Sequence, residues 1–170
     1  MEKDIESFDL NEHLDNVGNF LTKAGYTLRD PEYVGFVLPH VWAEKVVGEK
    51  KYTIFSVIKA SLDEALDGFR DLTSMKHKMG KDCDYLLILP TVSEYLMIEF
   101  LTTGRAWYYD IKREAFLVWI SEVNKHSMTS ILGWPLDDGF KEWFSNPGVA
   151  GFDGYVGQIM NRKMLEEEDY

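Results

Sequence analysis

Apolar residues recur at helical spacing near the start of the chain. Ile5, Phe8, Leu14, Val17, Phe20, Leu21 and Ala24 share one face, with acids on the other. The pattern predicts a helix over 5–24, with Gly25 in the stop position. Tyr26 to Leu28 reads as extended, and Asp30-Pro31 as a turn. The period then changes to two. Tyr52, Ile54, Ser56 and Ile58 face one side of a strand, and Thr53, Phe55, Val57 and Lys59 the other. With Tyr33 to Val37 and Val41 to Val47, this strand predicts an antiparallel meander, its last two strands joined through Gly48-Glu49-Lys50-Lys51.

A second helix follows. Ser61 is a suitable N-cap, Asp63 and Glu64 occupy the dipole-favoured first turn, and Leu62, Leu66, Phe69, Leu72 and Thr73 keep a helical period to Gly80. Asp84 to Leu89 is a near-continuous apolar run, as expected for a strand covered on both faces, and Pro90 closes it. Ser93 opens a short helix to about Leu101. Arg105 to Ile111 and Phe116 to Ile120 read as further strands. The order is helix, three strands, helix, strand, helix, strand. It predicts one α/β domain over 1–170, a three-layer α/β/α arrangement around a mixed sheet. The core is placed at about 8–120, followed by an irregular, aromatic-rich extension over 121–170. Within it, 133–157 reads as packed loops and 155–167 as a helix, and Trp134, Phe140, Trp143, Phe144, Phe152 and Tyr155 serve either the core or a partner surface.

Composition narrows the function classes. The 170 residues are 45% hydrophobic and 14% aromatic, as in a folded globular protein. The formal net charge of −11 opposes non-specific adhesion to nucleic acid or to an anionic membrane. A basic cluster around Arg70, Lys76, Lys78 and Lys81, with Lys45, Lys50 and Lys51, stands out against that background. It reads first as the dipole-favoured end of a helix and second as a phosphate contact. The single cysteine, Cys83, opens a strand and reads as a core thiol. The acidic start lacks the pattern of a secretory signal, and no apolar run reaches the ~20 residues that span a bilayer, so the expected location is the cytoplasm. No P-loop, dinucleotide fingerprint, zinc spacing or nucleophile elbow is present.

Four segments carry a resemblance. The first helix has the form NEHLDNVGNFLTKAGY. Pro39-His40 opens one strand, and Val57-Ile58-Lys59 ends the next. The apolar strand DYLLILP precedes a helix and then GRAWYYDI. Over roughly residues 8–120 the chain resembles the PD-(D/E)XK nuclease superfamily, the restriction-endonuclease-like fold. The resemblance implies the order α-β-β-β-α-β-α-β. It places Pro39-His40 where the family has Pro-Asp, and Val57-Ile58-Lys59 where it has Asp/Glu-x-Lys.

Catalysis in that family needs a hard divalent cation on carboxylate oxygens, which activates water and offsets charge on the phosphodiester. His40 is a poor substitute ligand for Mg²⁺, and Val57 ligates nothing. Lys59 fits a vestigial site and a solvent-facing strand end equally. His40 reads as a structural histidine before a functional one. If activity survived, Glu12 on the first helix and Glu44 on the second strand are the candidate metal ligands, with Mg²⁺ or Mn²⁺ as the cofactor. Asp15 is a further acid of the first helix. The helix acids read first as a solvated face, and Glu44 lies four residues beyond His40, roughly 13 Å along the strand.

Three readings follow. The first, which the lost acids and the net charge favour, is a non-catalytic nuclease-like domain that acts through a protein partner or as a homo-oligomer, without membrane and without cofactor. The second is a divalent-metal-dependent nuclease with a rearranged site. The third is an unrelated α/β binding domain.

Overall fold

The computed structural model describes residues 8–91 and 113–144. Helix α1 (Leu10–Lys23) is capped by Asp9, whose carboxylate accepts from the Asn11 N–H at 3.0 Å. It stops before Gly25, which takes φ +96°, a conformation costly for a residue with a Cβ. Strands β1 (Thr27–Arg29), β2 (Val41–Val47) and β3 (Lys50–Ile58) form the predicted antiparallel meander. Its first strand is Thr27–Arg29, however, and not Tyr33–Val37. Val34 and Val37 exchange backbone hydrogen bonds with each other, which folds that segment into a tight turn. The apolar residues suggested a strand there, but Gly35 at φ +65° supports a turn of two central residues. The β2–β3 hairpin has a loop of two residues, because Val47 already pairs with Lys50.

A 3₁₀ turn (Leu62–Glu64) leads into α2 (Ala65–Met79). Ser61 precedes the turn but its hydroxyl makes no capping hydrogen bond. Strands β4 (Asp84–Pro90) and β5 (Leu117–Glu122) lie parallel to β3 and to each other, and β6 (Ser127–Leu132) returns antiparallel to β5. Helix α3 (Asp138–Phe144) closes the described chain. The sheet order is β1-β2-β3-β4-β5-β6. The helix expected at 93–101 and the strand at 105–111 lie outside the described residues, as does the C-terminal helix expected at 155–167. Among the described residues no helix is long and apolar enough to cross a membrane.

Two cores flank the sheet, as the three-layer α/β/α class requires. On one face Phe69, Leu72 and Met75 of α2 pack with Phe55, Val57, Leu87 and Val118. On the other, Val17, Phe20 and Leu21 of α1 pack with Ile54, Leu86, Ile88 and Trp119. Among the described residues, 121–144 join the sheet and its core, while the rest of the expected extension, 145–170, lies outside the described residues. β6 is a strand of the sheet, and Phe140 and Phe144 of α3 enter the α1-side core, with Phe144 against Trp119 at 4.8 Å between ring centroids. Gly133, Pro135 and Asp137 gave this stretch the look of a loop. The polar Ser127, Thr129 and Ser130 hid β6, because they break the apolar pattern of a strand although all three are buried.

Candidate functional site

The three parallel strands end on one edge of the sheet, where open α/β sheets hold their ligands. Lys59 follows β3 at this edge and remains attached to it, since its N–H donates to the Ile88 carbonyl at 3.0 Å. β2 runs the other way, so His40, one residue before it, arrives at the same edge. The sequence-derived juxtaposition of His40 and Lys59 is therefore real.

The chemistry of the two residues is already committed. Nδ1 of His40 accepts the Ile58 N–H at 2.8 Å, and the His40 N–H donates to Ser56 O at 2.8 Å. The imidazole thus closes the end of the β2–β3 ladder. Burial lowers its pKa below the ordinary histidine range, the Lys59 charge lowers it further, and Asp71 opposes both. The Lys59 ammonium pairs with Asp71 Oδ2 of α2 at 3.0 Å. Asp71 was not among the residues singled out from sequence. The signal that could have found it is Gly68 within α2. A Cβ there would meet Leu87 Cδ1 at 2.6 Å and Lys59 Cγ at 3.4 Å. The missing side chain lets the helix press against β3 and β4, and Asp71 follows one turn later.

The other candidate ligands are elsewhere. Val57 is buried in the α2-side core and offers no donor atom. Glu44 sits opposite Thr53 on β3, roughly 20 Å along the strand from Lys59. Its carboxylate takes Arg29 at 2.9 Å, Lys51 at 3.0 Å and the Trp42 indole N–H at 3.2 Å. Burial raises its pKa, but these three donors outweigh that and the net shift is downward. Glu12 is exposed on α1. That helix packs on the opposite face, where neighbouring His13 Nδ1 lies 2.8 Å from Ser121 Oγ at the end of β5, two strands away from β3. Asp15 is likewise exposed. Among the described residues no group of three or more His, Cys, Asp or Glu side chains could hold a metal ion. An oxygen-rich Mg²⁺ or Mn²⁺ shell does not fit this donor set of one committed imidazole, one paired carboxylate and an apolar valine.

The opposite edge of the sheet holds a cluster that sequence reasoning did not identify. Asp84 opens β4 and Asp137 precedes α3, both almost fully buried. Asp84 accepts the Leu136 N–H at 3.0 and 3.3 Å. Asp137 accepts Lys45 Nζ at 2.6 Å and the Gly139 N–H at 3.1 Å, and Lys45 also donates to the Ala24 carbonyl at 3.0 Å. The Tyr26 ring lies under the Lys45 ammonium, 5.5 Å from it. Burial, with the Asp137 charge, pushes the Asp84 carboxyl up to about 7, against the hydrogen bond from Leu136. Tyr26 is pushed above the usual phenol range, first by burial and then by Asp84 and Asp137. Cys83, half-buried just before β4, is also raised by burial. Its thiol is thus held away from the reactive thiolate form.

No family model matches the chain, and no curated protein matches it. Among solved structures the chain is similar to an XisH family protein from Nostoc punctiforme PCC 73102, with a TM-score of 0.49 and 15% identity, covering 69% of this chain and 95% of that one. It is also similar to an fdxN element excision controlling factor protein from Anabaena variabilis, with a TM-score of 0.47 and 14% identity, over 69% of this chain and 95% of that one.

Proposed function

We propose that the protein is a non-catalytic, nuclease-like domain that acts by binding protein, either a partner or a second copy of itself. The observation that carries this reading is the Lys59–Asp71 ion pair at 3.0 Å. A catalytic lysine at this position must face a water or a phosphate, and here its charge is matched by a carboxylate of the packed helix. Removal of the ligand position at Val57 and use of Glu44 by Arg29 and Lys51 point the same way. So does the net charge of −11, which raises the electrostatic cost of approaching a phosphate backbone.

The test is a cleavage assay on single- and double-stranded DNA and RNA with Mg²⁺, Mn²⁺ and chelator, comparing the wild type with Lys59→Met. No turnover above the chelator control is expected for either protein. Metal-dependent cleavage by the wild type that disappears in Lys59→Met would overturn the reading in favour of a rearranged nuclease.

A further inference from the structure

The segment between β1 and β2 is a rigid turn with aromatic residues on its outside. Val34 N–H donates to Val37 O at 2.7 Å, and Val37 N–H returns to Val34 O at 3.2 Å. Val34 is anchored in the α2-side core. Gly35 lies against α2, where an added Cβ would sit 3.8 Å from Ser74 Oγ. Fixed in this way, the turn holds Phe36 97% exposed at its tip and Tyr33 70% exposed beside it, with Leu38 half-exposed. An exposed aromatic on a flexible loop can turn inward. One held on a pinned turn remains an uncovered apolar anchor of the kind that dominates interface energies, because little entropy is lost when it is buried.

The charges around the turn identify what it fits. Asp30 and Glu32 precede the aromatics and are exposed. Lys78 lies one turn beyond Ser74 on α2, and Lys81 just past its end, both exposed. None of the four makes an ion pair among the described residues. By contrast Lys59 is matched by Asp71, Arg70 by Asp67 and Lys76 by Glu114. The turn and α2 pack on the same side of the sheet, so one patch carries an acidic flank, an aromatic centre and a basic flank. Such a patch is complementary to itself when rotated about a two-fold axis.

We infer that a second copy of this chain docks on this face, with Phe36 and Tyr33 meeting across the axis and Asp30 and Glu32 opposing Lys78 and Lys81. This rests on the protein-binding reading above and selects its self-assembly form. Sedimentation velocity over a micromolar concentration series, at low and high salt, tests it. The wild type is expected to dimerise, and to do so less at high salt because the flanking pairs are exposed. Phe36→Ser is expected to weaken the dimer roughly tenfold or more, with an unchanged circular dichroism spectrum since the side chain supports no core. Glu32→Lys and Lys78→Glu should each give monomer, and the double variant should dimerise again. A monomeric wild type throughout the series, or a dimer indifferent to Phe36→Ser, overturns the inference. Either result leaves the outcome of the cleavage assay untouched, so the two proposals fail separately.

Discussion

The two ends of the parallel strands handle charge in opposite ways. At the carboxyl end Lys59 and Asp71 form one matched and partly solvated pair, with the His40 ring beside them held as acceptor of the Ile58 N–H. At the amino end two buried carboxylates, Asp84 and Asp137, lie close together, and the lysine there, Lys45, pairs with Asp137 alone. The end where an enzyme of this topology would concentrate unbalanced charge is balanced. The imbalance lies at the other end, where it ties α3 and the preceding loop to β2 and β4. The strained electrostatics of this domain are thus a feature of its assembly.

Breaking each lysine pair gives the sharpest contrast. Lys45→Met leaves Asp137 buried without its cation, and a loss of ~3–5 kcal/mol is expected in urea unfolding at neutral pH. A loss below about 1 kcal/mol would remove the contrast. The next effect depends on pH. The Asp84 carboxyl has a folded pKa of about 7 against an ordinary value of 3.8. An acid whose folded pKa is raised stabilises the fold while both states are protonated. That contribution is lost as pH climbs between the two values, because the unfolded state ionises first. Stability should therefore fall between about pH 4 and pH 7 from this group, then level off. Asp84→Asn keeps an oxygen for the Leu136 N–H and removes the titration. It should stabilise the protein at pH 8 by roughly 2–4 kcal/mol and flatten that limb of the pH profile. A variant no more stable than the wild type at pH 8 would contradict the assignment.

Smaller effects are expected at the carboxyl end. His40→Ala removes the acceptor of the Ile58 N–H and should cost ~1–3 kcal/mol, with His40→Asn recovering part of it. Recovery would separate a structural histidine from one used for its basicity. Lys59→Met should cost ~1 kcal/mol or less, because the pair it breaks is partly exposed. A cost as large as that of Lys45→Met would make the two ends equivalent and cancel the comparison.

The sequence by itself determined the α/β class, the positions of α1, α2, β2, β3 and β4, and the meeting of His40 with Lys59. These follow from local signals: a period of 3.6 or two, a stop glycine, and a strand alternation that places every second residue on one face. It also determined that positions 40 and 57 carry a histidine and a valine and no carboxylate, since identity at a position needs no coordinates. Only the tertiary structure decided the rest. The partner of Lys59 is a helix residue twelve positions later, brought in by the close approach at Gly68. Glu44 could be ranked as a ligand until Arg29 and Lys51 were seen to hold it. Tyr33–Val37 looked like a strand from its composition, and became a turn because two backbone hydrogen bonds close on each other. Asp84, Asp137 and Lys45 are unremarkable in the linear chain. The raised pKa of Asp84 and the pairing of Asp137 with Lys45 arise from burial and from contacts across as many as 92 positions of sequence, which no local pattern encodes.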